Sequence, residues 1–226
     1  MARAVLFDID GTLINTGGAG IKAFARAGET IFGIPNGTVT MRFAGRTDTA
    51  LVREFCALHN VAATPENIRR FLDSYVHWLD QLLPQSRGHV CPGVLELIQG
   101  LRARKNPPLI GLLTGNIRLG AEIKLRQYSL WEHFELGAFA DDHEDRDQIA
   151  HAARKRVHTR LKEKVHDDQI VVIGDTPYDV RCGRAIGARV LAVATGGATL
   201  EEMKPSRPDW LVRDLREITA EAICAG

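Results

Sequence analysis

AVLFDIDGTLINT, residues 4–16, is the stretch on which the reading of this chain turns. The four apolar residues Ala4 to Phe7 have the composition of a buried strand, with no polar alternation. They run straight into Asp8 and Asp10, which are separated only by Ile9 and followed by Gly11 and Thr12. Two like charges at the end of a buried strand are costly unless a positive group sits beside or between them. Met1 to Arg3 bring one arginine and no long apolar run, so the opening reads as a first strand rather than a signal peptide.

Working outward, apolar runs of the same kind recur. Residues 107–116 (PPLIGLLTGN), 135–140 (ELGAFA), 169–176 (QIVVIGDT), 188–197 (ARVLAVATGG) and 209–212 (DWLV) read as further strands. Helical periodicity fills most of the gaps, over 94–104, 119–131, 148–161 and 178–186. Continuous apolar strands alternating with helices predict an α/β fold, a doubly wound, Rossmann-like parallel sheet covered on both faces. In such sheets ligands gather beyond the carboxyl ends of the strands. Asp8, Thr114 and Asp175 all fall at predicted strand ends.

One segment breaks the alternation. Residues 17–88 carry helical spacing and no convincing strand. The patterns are Ile21, Phe24 and Ala25; Ala50, Leu51, Glu54 and Phe55; and Ile68, Phe71, Leu72, Tyr75, Leu79 and Leu82. Thr64-Pro65 supplies an N-cap followed by proline at the first helical position. The expected organisation is a core of residues 1–16 and 89–226, interrupted by an inserted all-helical cap domain of residues 17–88. Hinges are expected at 17–18 and 84–88, and the aromatics Phe71, Tyr75 and Trp78 read as the packing core of the insert.

The 226 residues are 45% hydrophobic and 25% charged, with a net charge of +1. This composition fits a globular protein with a sizeable core and gives no global electrostatic reason to bind nucleic acid or an anionic membrane. No apolar run nears the roughly 20 residues that a bilayer-spanning helix requires. The basic run 153–164 (ARKRVHTRLKEK) reads as a solvated helix face. Cys56, Cys91, Cys182 and Cys224 are too scattered for a zinc site or a disulfide framework, and fit reduced thiols in a cytoplasmic protein. The eight histidines show no metal-ligand spacing.

Four polar clusters stand at or near the strand ends. They are Asp8-x-Asp10-Gly11-Thr12, Thr114-Gly115-Asn116, the charged run 141–148 (DDHEDRDQ), and GDTPYD, which holds Asp175 and Asp179. If the strands are adjacent, three carboxylates converge at one sheet edge. Hard oxygens gathered in this way suit Mg²⁺, which keeps part of its octahedral shell as water. The ion would offset the repulsion at Asp8.

Taken in order, DIDGTL, the threonine-glycine-asparagine triplet and GDTPYD resemble the motifs of the haloacid dehalogenase superfamily. The resemblance spans essentially the whole chain. It is nearest to the phosphoglycolate phosphatase-like and phosphomutase-like members, which carry a helical cap after the first strand. It implies a Mg²⁺-dependent phosphatase acting on a small phosphorylated metabolite, phosphoglycolate-like or a sugar phosphate. Asp8 would be the nucleophile that forms an aspartyl-phosphate. Asp10 would be the general acid and then the general base. Thr114, with the amides of Gly115 and Asn116, would hold the phosphoryl oxygens. Asp8, the main-chain carbonyl of Asp10 and Asp175 would ligate the metal, and Asp179 would act through water or as an orienting neighbour.

The family also places a lysine, often in Lys-Pro, after the third strand, and none stands there in this chain. By position Arg146 takes its place, with Lys155 as the alternative. The segment FAGRTDTALV, residues 43–52, resembles the cap loop that reaches toward the site. It offers Arg46 and Thr47 as substrate contacts, although Arg46 reads equally well as an exposed side chain beside an N-cap. A phosphomutase shares these motifs, and the missing lysine keeps open a catalytically silent binding protein on the same fold. Dehalogenase chemistry has no need of Asp10. Phosphonate hydrolysis needs a cap lysine, for which nothing marks out Lys22. The expected partner is a small metabolite, with no nucleic acid and no membrane, and the expected assembly a monomer or homodimer.

Overall fold

The structure, a computed structural model, describes residues 1–162 and 165–225. The last two residues of the basic run 153–164 and the final residue of the expected core segment lie outside them. The chain opens with β1 (Ala4–Phe7) and β2 (Ile14–Asn15), then α1 (Ala19–Phe32), α2 (Asp48–Leu58) and α3 (Pro65–Leu82). It continues through β3 (His89–Val90), α4 (Val94–Arg102), β4 (Leu109–Leu113), α5 (Arg118–Gln127), β5 (Leu136–Ala138) and α6 (Arg146–Leu161). It closes with β6 (Ile170–Gly174), α7 (Pro177–Ala185), β7 (Arg189–Val193), α8 (Leu200–Met203), β8 (Trp210–Val212) and α9 (Ala220–Ala225).

β1 is buried along its whole length because it lies inside a six-stranded parallel sheet of order β5-β4-β1-β6-β7-β8. Alternate side chains serve opposite faces. Val5 and Phe7 join one apolar cluster with Val94, Ile98 and Leu125, from α4 and α5. Ala4 and Leu6 join the other with Ile149, Ala153 and Val180, from α6 and α7. β4 and β5 extend the sheet to one side of β1, and β6 to β8 to the other. β1 is therefore the switch point, where ligand crevices form in sheets of this kind. Phe7 pairs with both Leu112 and Ile173, so Asp8, Thr114 and Asp175 leave the sheet along one rim.

Each predicted strand is present, trimmed to its apolar centre. α6 starts at Arg146 rather than at 148, because the Asp145 carboxylate accepts hydrogen bonds from the Asp147 and Gln148 amides and caps the helix there. A two-stranded antiparallel ribbon, β2 with β3, was not anticipated. It ties Ile14 to Val90 and Asn15 to His89, so the two chain crossings into the insert run side by side.

Between β2 and β3 lie α1, α2 and α3 and, among the described residues, no strand. Their apolar faces meet in a separate aromatic core, with the Phe24 and Phe71 ring centroids 4.6 Å apart and those of Phe55 and Phe71 5.1 Å apart. Thr64 caps α3 by accepting from the Asn67 amide, with Pro65 in the first turn. Phe71 and Tyr75 are buried in this core and Trp78 is partly so. The four cysteines are free and buried. Among the described residues no helix is long and apolar enough to cross a membrane.

Candidate active site

Asp8 is the first residue past β1, and its amide continues the ladder by donating to the Ile173 carbonyl at 2.9 Å. Its carboxylate is buried. Asp175 follows β6 directly; one of its oxygens accepts from the Gly197 amide at 2.8 Å and the other from the Thr12 hydroxyl at 3.3 Å. Asp179 sits in the first turn of α7, where its Oδ2 accepts from the amide and hydroxyl of the capping Thr176. Carboxylate oxygens of Asp8, Asp175 and Asp179 come within 4.8 Å of one another, and all three residues are buried. Gly11 makes this convergence possible. It has φ +83°, and a Cβ there would lie 2.5 Å from Asp175 Oδ2.

Arg146 faces this cluster from the start of α6, with its side chain only 5% exposed. The guanidinium lies 3.5 Å from Asp8 Oδ1 and forms an ion pair with Asp179. Both oxygens of Asp179 are thereby engaged by the protein, one by Arg146 and the other by Thr176. Lys155 is exposed farther along α6, where it lines a separate surface groove with Arg156 and Lys162. Burial raises the Asp8 carboxyl well above the usual range, more than Arg146 offsets, and burial followed by Asp179 and Asp8 does the same to Asp175. Three buried hard-oxygen groups facing one guanidinium form a set that fits a divalent cation, since the added charge would let all three ionise.

On the other side of Asp8 the arrangement is different. Asp10 is half-buried, and its Oδ2 accepts from Lys124 Nζ at 2.6 Å and from Asn116 Nδ2 at 2.9 Å. Lys124 also donates to Asn116 Oδ1 at 2.6 Å, while Asn116 Nδ2 donates to the Thr114 hydroxyl at 2.9 Å. Thr114 in turn lies beside Asp8 and pulls its carboxyl slightly down against burial. Lys124 is buried on α5 and was not picked out from the sequence. A signal was nonetheless there, since Lys124 falls on the stripe Ala121, Lys124, Leu125, a helical spacing at which a buried lysine needs a partner. Burial pulls its ammonium down, but Asp10, Tyr75 and Asp48 outweigh that and keep it charged.

The insert roofs the site. A cavity of about 280 Å³ is lined from the core by Asp8, Asp10, Thr114, Lys124, Arg146 and Asp175, and from the insert by Ile21, Phe24, Phe43, Arg46, Leu51 and Tyr75. Tyr75, read from the sequence as packing core alone, thus does both jobs. Arg46 reaches the cavity but is ion-paired with Glu54. Thr47 has another task. Its hydroxyl caps α2 and donates to the Glu144 carbonyl at 2.8 Å, which fastens the insert to the core instead of facing the cavity. The adjoining contacts are of the same kind. The Asp48 amide donates to the Gly115 carbonyl at 2.8 Å, and Asp48 Oδ2 accepts from the Ile117 amide at 2.8 Å. A Cβ on Gly115 would strike the Arg46 carbonyl. Lys22 is exposed and does not line the cavity.

The family model described as haloacid dehalogenase-like hydrolase matches residues 5–193. A curated relative, probable phosphatase IndB of Dickeya dadantii (strain 3937), is 24% identical over 98% of this chain and 94% of its own length. Among solved structures, CbbY from Rhodobacter sphaeroides in complex with phosphate superposes with a TM-score of 0.78 at 17% identity, over all of both chains. A haloacid dehalogenase family hydrolase from Entamoeba histolytica gives 0.77 at 21% identity, over 100% of this chain and 98% of that one. At these identities the structural likenesses speak for the fold.

Proposed function

The chain belongs to the haloacid dehalogenase-like hydrolase family, and we propose that within it the protein is a Mg²⁺-dependent phosphatase of a small phosphorylated metabolite. The observation that carries this is the meeting of Asp8, Asp175, Thr114 and Arg146 at one rim of the sheet, with Asp10 beside them in the same cavity. The phosphatase name of the Dickeya relative and the phosphate in the Rhodobacter structure point the same way. The proposal treats residues 17–88 as a cap over a core of residues 1–16 and 89–226.

In this reading an Asp8 oxygen forms a bond to phosphorus as the bond to the leaving oxygen breaks. Arg146 and the Thr114 hydroxyl, together with the Gly115 and Asn116 amides, stabilise the equatorial oxygens. Asp10 passes a proton to the leaving oxygen and afterwards takes one from the water that hydrolyses the aspartyl-phosphate. Asp8, the Asp10 carbonyl and Asp175 would hold the Mg²⁺, whose chemistry is to neutralise charge on the phosphoryl group. Asp179 holds Arg146 in place. The apolar roof of Ile21, Phe24, Phe43 and Leu51 excludes water from the leaving-group side.

The test is hydrolysis of p-nitrophenyl phosphate. Turnover with Mg²⁺ that is lost on chelation and in Asp8→Asn is the expected result. Inertness toward p-nitrophenyl phosphate and a broad metabolite panel would overturn the reading in favour of a binding protein. The phosphomutase reading needs an anchor for a second phosphate. The only cap cation among the described residues that lines the cavity, Arg46, is already paired with Glu54, which favours the phosphatase.

A further inference from the structure

Lys124 is the buried charge for which the chemistry above has no task. Its side chain is only 5% exposed. An ammonium has three donors and no acceptor. Here one donor goes to Asp10 Oδ2 and one to Asn116 Oδ1, each at 2.6 Å, and the Tyr75 hydroxyl stands beside the same cavity wall. Two of its three donors are thus taken up within the protein at short range, so Lys124 is committed to its own neighbours before any leaving group arrives.

What it does hold is Asp10. That carboxylate is 43% exposed and lies past the end of β1, so packing alone does not set its rotamer. Lys124 and Asn116 both bond Oδ2, and among the described residues nothing bonds Oδ1. An oxygen that accepts two donors has no room for a proton. Any proton that Asp10 gives or takes therefore travels through Oδ1. The insert closes round the ammonium: a Cβ on Gly20 of α1 would be 3.7 Å from Lys124 Nζ and 4.0 Å from the hydroxyl of Tyr75 on α3.

We infer that Lys124 is a positioning residue: with Asn116 it fixes Asp10 by one oxygen so that the other meets the hydrolytic water, and the Tyr75 hydroxyl bounds the ammonium from the insert. The inference rests on the phosphatase reading. In the first half-reaction the bond from Asp8 to phosphorus forms and the leaving oxygen departs. In the second, the water oxygen bonds to phosphorus, the bond to Asp8 breaks, and a water proton moves to Asp10 Oδ1. p-Nitrophenolate leaves without needing a proton, so with p-nitrophenyl phosphate only the second half depends on Asp10.

Rapid-mixing kinetics of Lys124→Met with p-nitrophenyl phosphate and Mg²⁺ separate the halves. The expected result is a burst of about one p-nitrophenol per protein at close to the wild-type rate, followed by steady turnover slowed about 10²-fold. Tyr75→Phe keeps the shape of the side chain and should show the same split at about threefold. A crystal structure of Lys124→Met should show the Asp10 carboxylate turned from its present rotamer. Equal loss of burst and steady state, or no change in either, overturns the inference. If Lys124→Met does not fold, an unmoved split in Tyr75→Phe overturns it. A wild-type protein inert toward every phosphoester overturns the phosphatase reading and this inference with it, whereas an active wild type with an unmoved split overturns the inference alone.

Discussion

Two buried cations flank the same pair of acids, and their surroundings differ. Arg146 faces Asp8 and Asp179 with Asp175 close by, so three carboxylates converge on one guanidinium. Lys124 faces Asp10 and Asn116, to each of which it donates at 2.6 Å, with Tyr75 lining the same cavity. The first cluster is short of positive charge, and burial pushes Asp8 and Asp175 up as a result. The second is close to balanced, and its ammonium stays charged in spite of burial. The difference teaches where the proposed divalent cation would belong: the Arg146 side has carboxylates that could hold one, while on the Lys124 side a protein cation already answers Asp10.

The largest expected effect breaks the Arg146 side. Arg146→Ala should lower kcat toward p-nitrophenyl phosphate about 10²–10³-fold, the usual consequence of removing one donor to developing charge. Lys155→Ala, on the exposed part of α6, should leave kcat within about twofold. Should the two variants lose activity equally, or in the reverse order, the assignment of Arg146 to the missing lysine's place is wrong.

The next effect tests which side holds the cation, and does so without turnover. Mg²⁺ at about 100 times its dissociation constant should stabilise the protein by about 2.7 kcal/mol, a rise in Tm of about 5–10 °C for a chain of this length. Asp175→Asn should abolish most of that rise. Asp48→Asn, beside Lys124, should leave it intact. A Mg²⁺ shift that survives in Asp175→Asn and disappears in Asp48→Asn would reverse the comparison.

The two sides were not equally legible in the sequence. Asp8, Asp175 and Arg146 could be found because each stands where an apolar run gives way to a turn or a helix start, and strand ends in a parallel sheet share a rim. Lys124 lies inside a helix among Glu122, Arg126 and Gln127, polar neighbours of the kind found on a solvated face. Only its place between Ala121 and Leu125 gives it away, and that spacing says a partner is needed without saying which. Thr47 shows the opposite difficulty. It was expected as a substrate contact from its place in a loop, but loop position does not set the direction of a hydroxyl, and the Glu144 carbonyl 97 residues away claims it. The β2–β3 ribbon is two residues long on each side, too short for any alternation to register.

The smallest effect probes the balance on the Lys124 side. Asp48 is buried in the first turn of α2, and burial, set against the attraction of Lys124, raises its carboxyl from the ordinary 3.8 to about 6. A carboxyl whose folded value is raised favours folding while it is protonated. That contribution is fully present below about 3.8, declines as pH rises, and is gone above about 6. Asparagine keeps an acceptor for the Ile117 amide and carries no charge to bury. Asp48→Asn should therefore gain stability on the wild type between pH 4.5 and 7.5, by about 2 kcal/mol, since each pH unit below the raised value is worth about 1.4 kcal/mol. Urea melts of both proteins at the two pH values measure the gain, and the difference between them cancels the titration of Asp8 and Asp175. If the variant instead loses ground as pH rises, the Asp48 carboxylate is a needed counter-charge for Lys124. The Lys124 side would then be short of negative charge instead of balanced.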